Sequence, residues 1–333
     1  MLVSVVMAVY NEESYLIDAI NSILHQTYTN FEFIIVNDGS TDNTKRVLDQ
    51  IIDERVRVIH LDKNQGAANA LNKGINEANG NWIAIQDADD LSLPTRLEEQ
   101  TRYIHQQQEI VAVGALKECI SGSESLWNDR LKTEEHGNFL VDSEHLRMYR
   151  FYINPLCHGS VLFSKDVFNQ VGGYNTSYKI CYDYDLWMRM FEIGQIHKLP
   201  KVLYQYRVHS GSLSKGNNEF INEDWVVAAK YIKKIIMNKA RACEPTCVVL
   251  GNKQACKEFK QISNICNLTI ARYVNTVESR TTKDIFQQFI NKKIDGVIIL
   301  EGIQFLSTFQ RLQDMGMEMN KSLYKIWAGY LND

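Results

Sequence analysis

Residues 80–90 read GNWIAIQDADD, and this stretch decides the fold. A short apolar run, residues 82–86, stops abruptly on Asp87, Ala88, Asp89 and Asp90. A run of that length without alternation reads as a strand buried on both faces. Three carboxylates within four residues repel one another unless positive charge sits among them. A hard divalent cation, Mn²⁺ or Mg²⁺, supplies that charge and usually holds substrate phosphates as well. The competing reading is an exposed acidic loop that caps a helix starting near Pro94.

Three more apolar runs lie upstream: residues 2–9, 31–36 and 56–61. Helical spacing separates them. Leu16, Ile20, Ile23 and Leu24 mark the first helix, with Asn11 as its expected cap. Val47, Leu48, Ile51 and Ile52 mark the second. Gly66 opens the third, with Leu71, Ile75 and Ala78 on one face. The order β-α-β-α-β-α-β predicts a mostly parallel sheet with right-handed crossovers. Ligands of such sheets bind at the carboxyl ends of the strands. All four strand ends here carry polar groups: Tyr10-Asn11-Glu12, Asp38, residues 64–66 and the Asp cluster. One such turn means little, because Asn and Asp favour turns. Four on one edge predict a site.

Length and composition bound the rest. The 333 residues suggest about two domains at roughly 150 residues each. A formal charge of −4 argues against a nucleic-acid binder. The apolar start lacks a basic n-region and is cut by Asn11, Glu12 and Glu13, so it does not read as a signal peptide. No run approaches the ~20 apolar residues of a membrane span. Seven cysteines without a secretion signal suggest a reducing, cytoplasmic setting. Cys243, Cys247, Cys256 and Cys266 do not follow a familiar zinc spacing.

The motifs SVVMAVYNEE (4–13), FEFIIVNDGSTDNT (31–44), NQGAANALNKGI (64–75) and GNWIAIQDADD resemble the family 2 glycosyltransferases. The resemblance continues through NPLCHGSVLFSKDVFNQVGGYN (154–175), CYDYDLWMRM (181–190) and YQYRVHSGSLS (204–214). It implies an α/β fold of the GT-A type over residues 1–220. It implies inverting transfer from a nucleotide-diphosphate sugar, a UDP-sugar first, to a hydroxyl of a glycan or glycolipid, as in capsule or surface polysaccharide synthesis. Ala8 and Tyr10 then sit where the family holds the base, and Glu12 where some members reach the ribose or base. Asp38 matches the carboxylate that meets the pyrimidine N3–H. Gly66 and Asn72 complete the implied nucleotide-sugar set with Asp87, which faces the ribose. Asp89 and His209 match metal positions, and Asp90 orders the loop. Asp183 matches the general base, with Asp185 as its rival. His158, Tyr182 and Trp187 are expected on the acceptor side, with a hydrogen-bonded, half-buried histidine as the alternative for His158 and a core residue of the helix as the alternative for Trp187. The chain departs from the family at Leu71, where many members have Arg, and at Tyr182, where the family has Glu. The Tyr182 departure keeps open a non-catalytic sugar-nucleotide-binding module.

The chemistry these residues serve follows from charge. Cleavage of the anomeric C–O bond leaves negative charge on a diphosphate, and a cation held by Asp89 stabilises it. A carboxylate takes the proton of the acceptor hydroxyl. Asp183 begins a helix whose apolar face is Leu186, Met190 and Ile193, and a helix N-terminus favours the ionised form.

Residues 221–244 read as a basic amphipathic linker helix. Its stretch 225–242 suits either an anionic membrane face or packing with solvated lysines. Residues 245–333 repeat β-α-β-α-β-α-β and predict a small Rossmann-like domain. Gly251-Asn252-Lys253 lacks the later glycines of a dinucleotide fingerprint, which disfavours an oxidoreductase. A structural, acceptor-positioning or oligomerising role is expected there.

Overall fold

The structure is a computed structural model. It describes the chain except residues 108, 121–130, 132–133, 136, 140, 210–221, 241–243, 276–278, 301–302 and 327–333. The polar stretch 122–137 thus lies largely outside the described residues. The chain divides into two compact units, Met1–Arg147 with Pro155–Asn217, and Met148–Asn154 with Asn218–Asp333.

The first unit begins β1 (Val3–Val9), α1 (Leu16–Leu24), β2 (Phe31–Asn37), α2 (Thr44–Leu48), β3 (Val56–His60), α3 (Ala67–Asn76) and β4 (Trp82–Ile85). It continues through β5 (Leu91–Ser92), α4 (Arg96–Gln106), β6 (Ile110–Ile120), α5 (Ser143–Met148), β7 (Leu162–Ser164), α6 (Lys165–Gln170), α7 (Tyr182–Met190) and β8 (Gln195–Arg207). The strands form one sheet in the order β3-β2-β1-β4-β7-β6-β8-β5. β1 pairs in parallel with β2 on one side and β4 on the other. Strand order therefore reverses at β1, which is where open α/β sheets form their ligand crevice. β7 runs antiparallel to β4 and β6, so the sheet is mixed beyond its nucleating half.

Burial explains the continuous apolar runs. Val3, Val5, Val6 and Met7 of β1 are fully buried, as are Phe33 to Val36 of β2 and Ile83 to Ile85 of β4. Helices cover both faces, so no alternation survives. Two expected helices are shorter than their apolar spacing suggests. α2 stops at Leu48, and Ile52 is 99% exposed, because Gln50 and Ile51 close tight turns onto Val47 and Leu48. α7 stops at Met190, so Ile193 lies past its end and is exposed while Leu186 and Met190 are buried.

The second unit contains α8 (Glu223–Ala240), β9 (Thr246–Leu250), α9 (Lys253–Ile265), β10 (Thr269–Val274), α10 (Ser279–Ile290), β11 (Gly296–Leu300), α11 (Ile303–Asp314) and β12 (Leu323–Ile326). Its strands pair in parallel in the order β10-β9-β11-β12. The helix read as a linker packs inside this unit. Trp225 meets the ring of Phe259 at 5.8 Å, and Val227, Ala229, Ile232 and Ile236 are buried. Lys233 Nζ donates to the carbonyls of Cys266 and Asn267, near the end of α9. The apolar face that a bilayer would need is thus occupied by packing. Among the described residues no helix is long and apolar enough to cross a membrane. Cys247 and Cys256 are buried, which pushes their thiols up to about 12 and about 11.

Candidate active site

The carboxyl end of β1 is stitched to that of β2. Asn11, in a left-handed conformation (φ 52°), accepts from the Thr41 N–H at 2.8 Å and donates its own N–H to Ser40 Oγ at 3.0 Å. It does not cap α1, whose N-cap position is Tyr15. The Glu12 N–H donates to Thr44 Oγ1 at 2.9 Å. These bonds turn the Glu12 side chain toward the end of β4. Ala8 is half-buried at the end of β1, and Tyr10 is exposed.

Asp38 is more enclosed than its expected pyrimidine contact requires. It is 2% exposed, and its two oxygens accept the N–H groups of Gln65 and Gly66, each at 2.8 Å. Here the carboxylate holds the loop before α3 in place. Gly39 permits that closeness: it has φ 68°, and a Cβ there would lie 2.5 Å from the backbone of Lys63. Gly39→Ala is expected to cost ~2 kcal/mol or more and to lower Tm by roughly 5 °C in a thermal melt. An unchanged Tm would show that the loop relaxes freely. Asn72, implied by the resemblance in the nucleotide-sugar set, makes a tie of its own. Its side-chain amide bonds the main-chain N–H and carbonyl of Tyr174, each at 2.9 Å, and so clamps that loop.

The Asp cluster is built from below. Arg96 is fully buried and donates to the carbonyls of Ile85 and Val161 and to Ser92 Oγ. Burial lowers its pKa to about 10. Gln86 Nε2 donates to the carbonyls of Asp87 and Asp90, which folds the loop into a tight turn. Asp90 is 1% exposed and accepts the Arg207 N–H at 2.6 Å. Burial first, then the charges of Asp89 and Asp87, push its carboxyl well above the ordinary range. Asp87 Oδ1 lies 3.3 Å from His158 Nδ1. Gly159 leaves room for it, because a Cβ there would sit 2.6 Å from Asp87 Oδ2 and closer still to the Tyr204 hydroxyl.

Asp89 Oδ2 lies 2.9 Å from His209 Nε2. Glu12, Asp89 and His209 each offer a ligand atom, and these atoms all lie within 4.8 Å of one another. Burial, then the charge of Asp89, raise the pKa of Glu12; burial, then the charge of Asp87, raise that of Asp89. Half-buried carboxylates under mutual repulsion gain most from a divalent cation. The donor set of two carboxylates and one imidazole fits Mn²⁺, and it is less suited to Mg²⁺, which favours oxygen alone. The resemblance implies metal positions at Asp89 and His209; Glu12, expected at the ribose or base, joins them here. The signal for Glu12 is the β1–β4 pairing, which brings the two strand ends together.

His158, expected on the acceptor side, sits against Asp87. Its Nε2 lies 2.9 Å from the Tyr174 hydroxyl. Burial works against its charged form. The hydrogen bond and charge of Asp87, then the charge of Asp183, outweigh burial and raise its pKa. Tyr174 and Tyr182 meet the imidazole edge-on at 5.7 and 5.5 Å. Tyr182 is itself buried in this aromatic cluster. Trp187 is 0% exposed and packs on Phe163, so it offers no face to a sugar. The apolar stripe of α7, not an acceptor, accounts for it.

Two carboxylates of α7 are treated differently. Asp185 Oδ2 receives Nη2 of Arg189 at 2.7 Å and Nε at 3.0 Å. The same arginine donates to the carbonyls of Val171 and Gly173, so Asp185 belongs to a structural tie. Asp183 is in the first turn of α7, 9% exposed, and accepts the Tyr184 N–H at 2.6 Å.

Residues 4–172 match the family model described as Glycosyl transferase family 2. The chain belongs to that family. Relatives agree with this assignment. An uncharacterized glycosyltransferase of Haemophilus influenzae is 33% identical over 243 residues, covering 70% of this chain and 72% of its own. The putative glycosyltransferase EpsE of Bacillus subtilis is 32% identical over 224 residues, covering 64% and 75%. Among solved structures, the 1–349 fragment of S. aureus TarS in complex with UDP-GlcNAc superposes with TM-score 0.58 at 19% identity. That match covers 72% of this chain and 67% of the TarS fragment. It shows that this glycosyltransferase has the α/β fold of the GT-A type, dominated by a parallel sheet. The chain is a transferase enzyme.

Proposed function

We propose that the enzyme is a metal-dependent inverting glycosyltransferase. It moves a sugar from a nucleotide-diphosphate donor to a hydroxyl of a glycan or glycolipid. The observation that carries this reading is the Glu12–Asp89–His209 cluster at the strand-order reversal, beside Asp87 and the first turn of α7. Glu12, Asp89 and His209 would hold a divalent cation, which would supply positive charge against the leaving diphosphate. Asp87, held by His158, faces the donor ribose. Ala8, Tyr10 and the Asp38-clamped loop at Gly66 form the base side of the cleft. Asp183 accepts the proton of the acceptor hydroxyl, because Asp185 is engaged with Arg189. One base acting opposite the leaving diphosphate inverts the anomeric carbon. A UDP-sugar is the donor class to test first, since TarS, which shares the fold, binds UDP-GlcNAc.

A thermal-shift screen of UDP-, dTDP- and GDP-sugars with and without Mn²⁺ tests the reading. A ligand near 100 times its Kd stabilises the folded state by about 2.7 kcal/mol, a rise of roughly 5 °C that should require Mn²⁺. The absence of any shift with every donor in Mn²⁺ would remove the proposal.

A further inference from the structure

We propose that Lys117 and Lys198 form a binding site for an oxyanion, a phosphate or carboxylate group. Lys117 lies in β6 and Lys198 in β8, two strands that pair in parallel. Lys117 is 8% exposed and Lys198 4%. Their side chains converge on Gly137. Lys198 Nζ donates to the Gly137 carbonyl at 3.0 Å. A Cβ on Gly137 would sit 3.0 Å from Lys117 Nζ and closer still to its Cε. Lys117 Nζ lies 4.2 Å from the centre of the Tyr206 ring. Among the described residues this ammonium makes no hydrogen bond and no ion pair, and Lys198 makes no ion pair.

Two buried ammonium groups that meet at one residue need a counter-charge, as the carboxylates at the strand ends do. The groups around them do not supply it. Cys157 interacts with both lysines, yet burial pushes its thiol up to about 12, so it stays neutral. Glu118 accepts from Gln205 Nε2 at 2.6 Å, and Glu134 accepts the Cys119 N–H at 2.8 Å. The Asn138 amide is engaged by the main chain of Lys117. Burial lowers the pKa of Lys198 to about 8, and the charge of Lys117 acts in the same direction. An oxyanion accepting from both ammonium groups would relieve this repulsion through charge-assisted hydrogen bonds. The pair is distinct from the Glu12–Asp89–His209 cluster. β6 and β8 lie beyond β7 from the strand-order reversal at β1, and no hydrogen bond or ion pair among the described residues joins either lysine to that cluster.

A purely structural reading is that the two lysines only brace the segment at Gly137. Thermal melts in a buffer free of phosphate, carboxylates and Mn²⁺ separate the readings. Leaving out Mn²⁺ keeps an added anion from acting through the Glu12–Asp89–His209 cluster. The probes are inorganic phosphate, glycerol 3-phosphate and glucuronate. At about 100 times its Kd, a matching anion is expected to raise the Tm of the unmodified enzyme by roughly 5 °C. The double variant Lys117→Met, Lys198→Met is expected to lose that rise. Methionine keeps a long, flexible stem and replaces a buried charge with an apolar end, a change that interiors tolerate. A rise with glycerol 3-phosphate or glucuronate supports a group carried on a larger acceptor, and a rise with inorganic phosphate alone supports a free anion. No rise with any of the three overturns the proposal. So does an equal rise in the double variant, which is the general stabilising effect of such salts. If the double variant does not fold, Lys117→Met alone is read in the same way.

Discussion

Asp183→Asn is expected to lower transfer by about 100- to 10,000-fold while leaving donor binding in Mn²⁺ nearly unchanged. Asparagine keeps the size of the side chain and its acceptor oxygen, so the bond from the Tyr184 N–H survives. What it removes is the ability to take a proton. The loss therefore falls on kcat and leaves the donor's KM in place. Asp185→Asn provides the contrast. Its partner is Arg189, which also fastens the Val171 and Gly173 carbonyls. That substitution should lower Tm and affect kcat far less than Asp183→Asn. Full transfer in Asp183→Asn, measured with a competent donor and acceptor, would transfer the base role elsewhere.

The second large effect is expected at the Glu12–Asp89–His209 cluster. Asp89→Ala should abolish Mn²⁺-dependent UDP binding and lower kcat by about 100- to 1,000-fold. It removes one of the gathered ligand atoms and one end of the contact to His209. Glu12→Gln should weaken Mn²⁺ more mildly, since an amide oxygen still reaches the site without a charge. Mn²⁺ titration of both variants checks the order. Equal Mn²⁺ affinity in the Asp89→Ala and unmodified enzymes would show that the ion sits elsewhere.

Much of the first unit was legible because its strands are buried on both faces. Runs such as residues 31–36 and 82–86 have no other comfortable conformation, and the polar residues after them must lie at one edge of a parallel sheet. The misreadings share a cause. Ile52 and Ile193 continue a helical spacing, yet the helix stops where a turn must reach the next strand, and spacing carries no record of that. The resemblance implies Asn72 in the nucleotide-sugar set, and Trp187 reads either as an acceptor-side ring or as a core residue of its helix. Trp187 fills the core and Asn72 holds the Tyr174 backbone, because each faces a neighbour distant in sequence. The helix at residues 223–240 reads as amphipathic in isolation; Phe259, beyond its end, shows which surface its apolar face covers.

By itself the sequence determined the fold class, the family, and the strand edge on which the Asp cluster and the other polar strand ends lie. Hydrophobic period and strand-end chemistry are local properties, and local properties survive in one dimension. Only the tertiary structure decided which polar groups are available. It brought Glu12 to Asp89 and His209 through the pairing of β1 with β4. It closed Asp38 onto its loop, bound Asp185 to Arg189, and set Arg207 against the Asp89 carbonyl and the Tyr15 ring. Whether a charged side chain serves chemistry or architecture depends on which partners reach it first, and those partners lie up to 120 residues away.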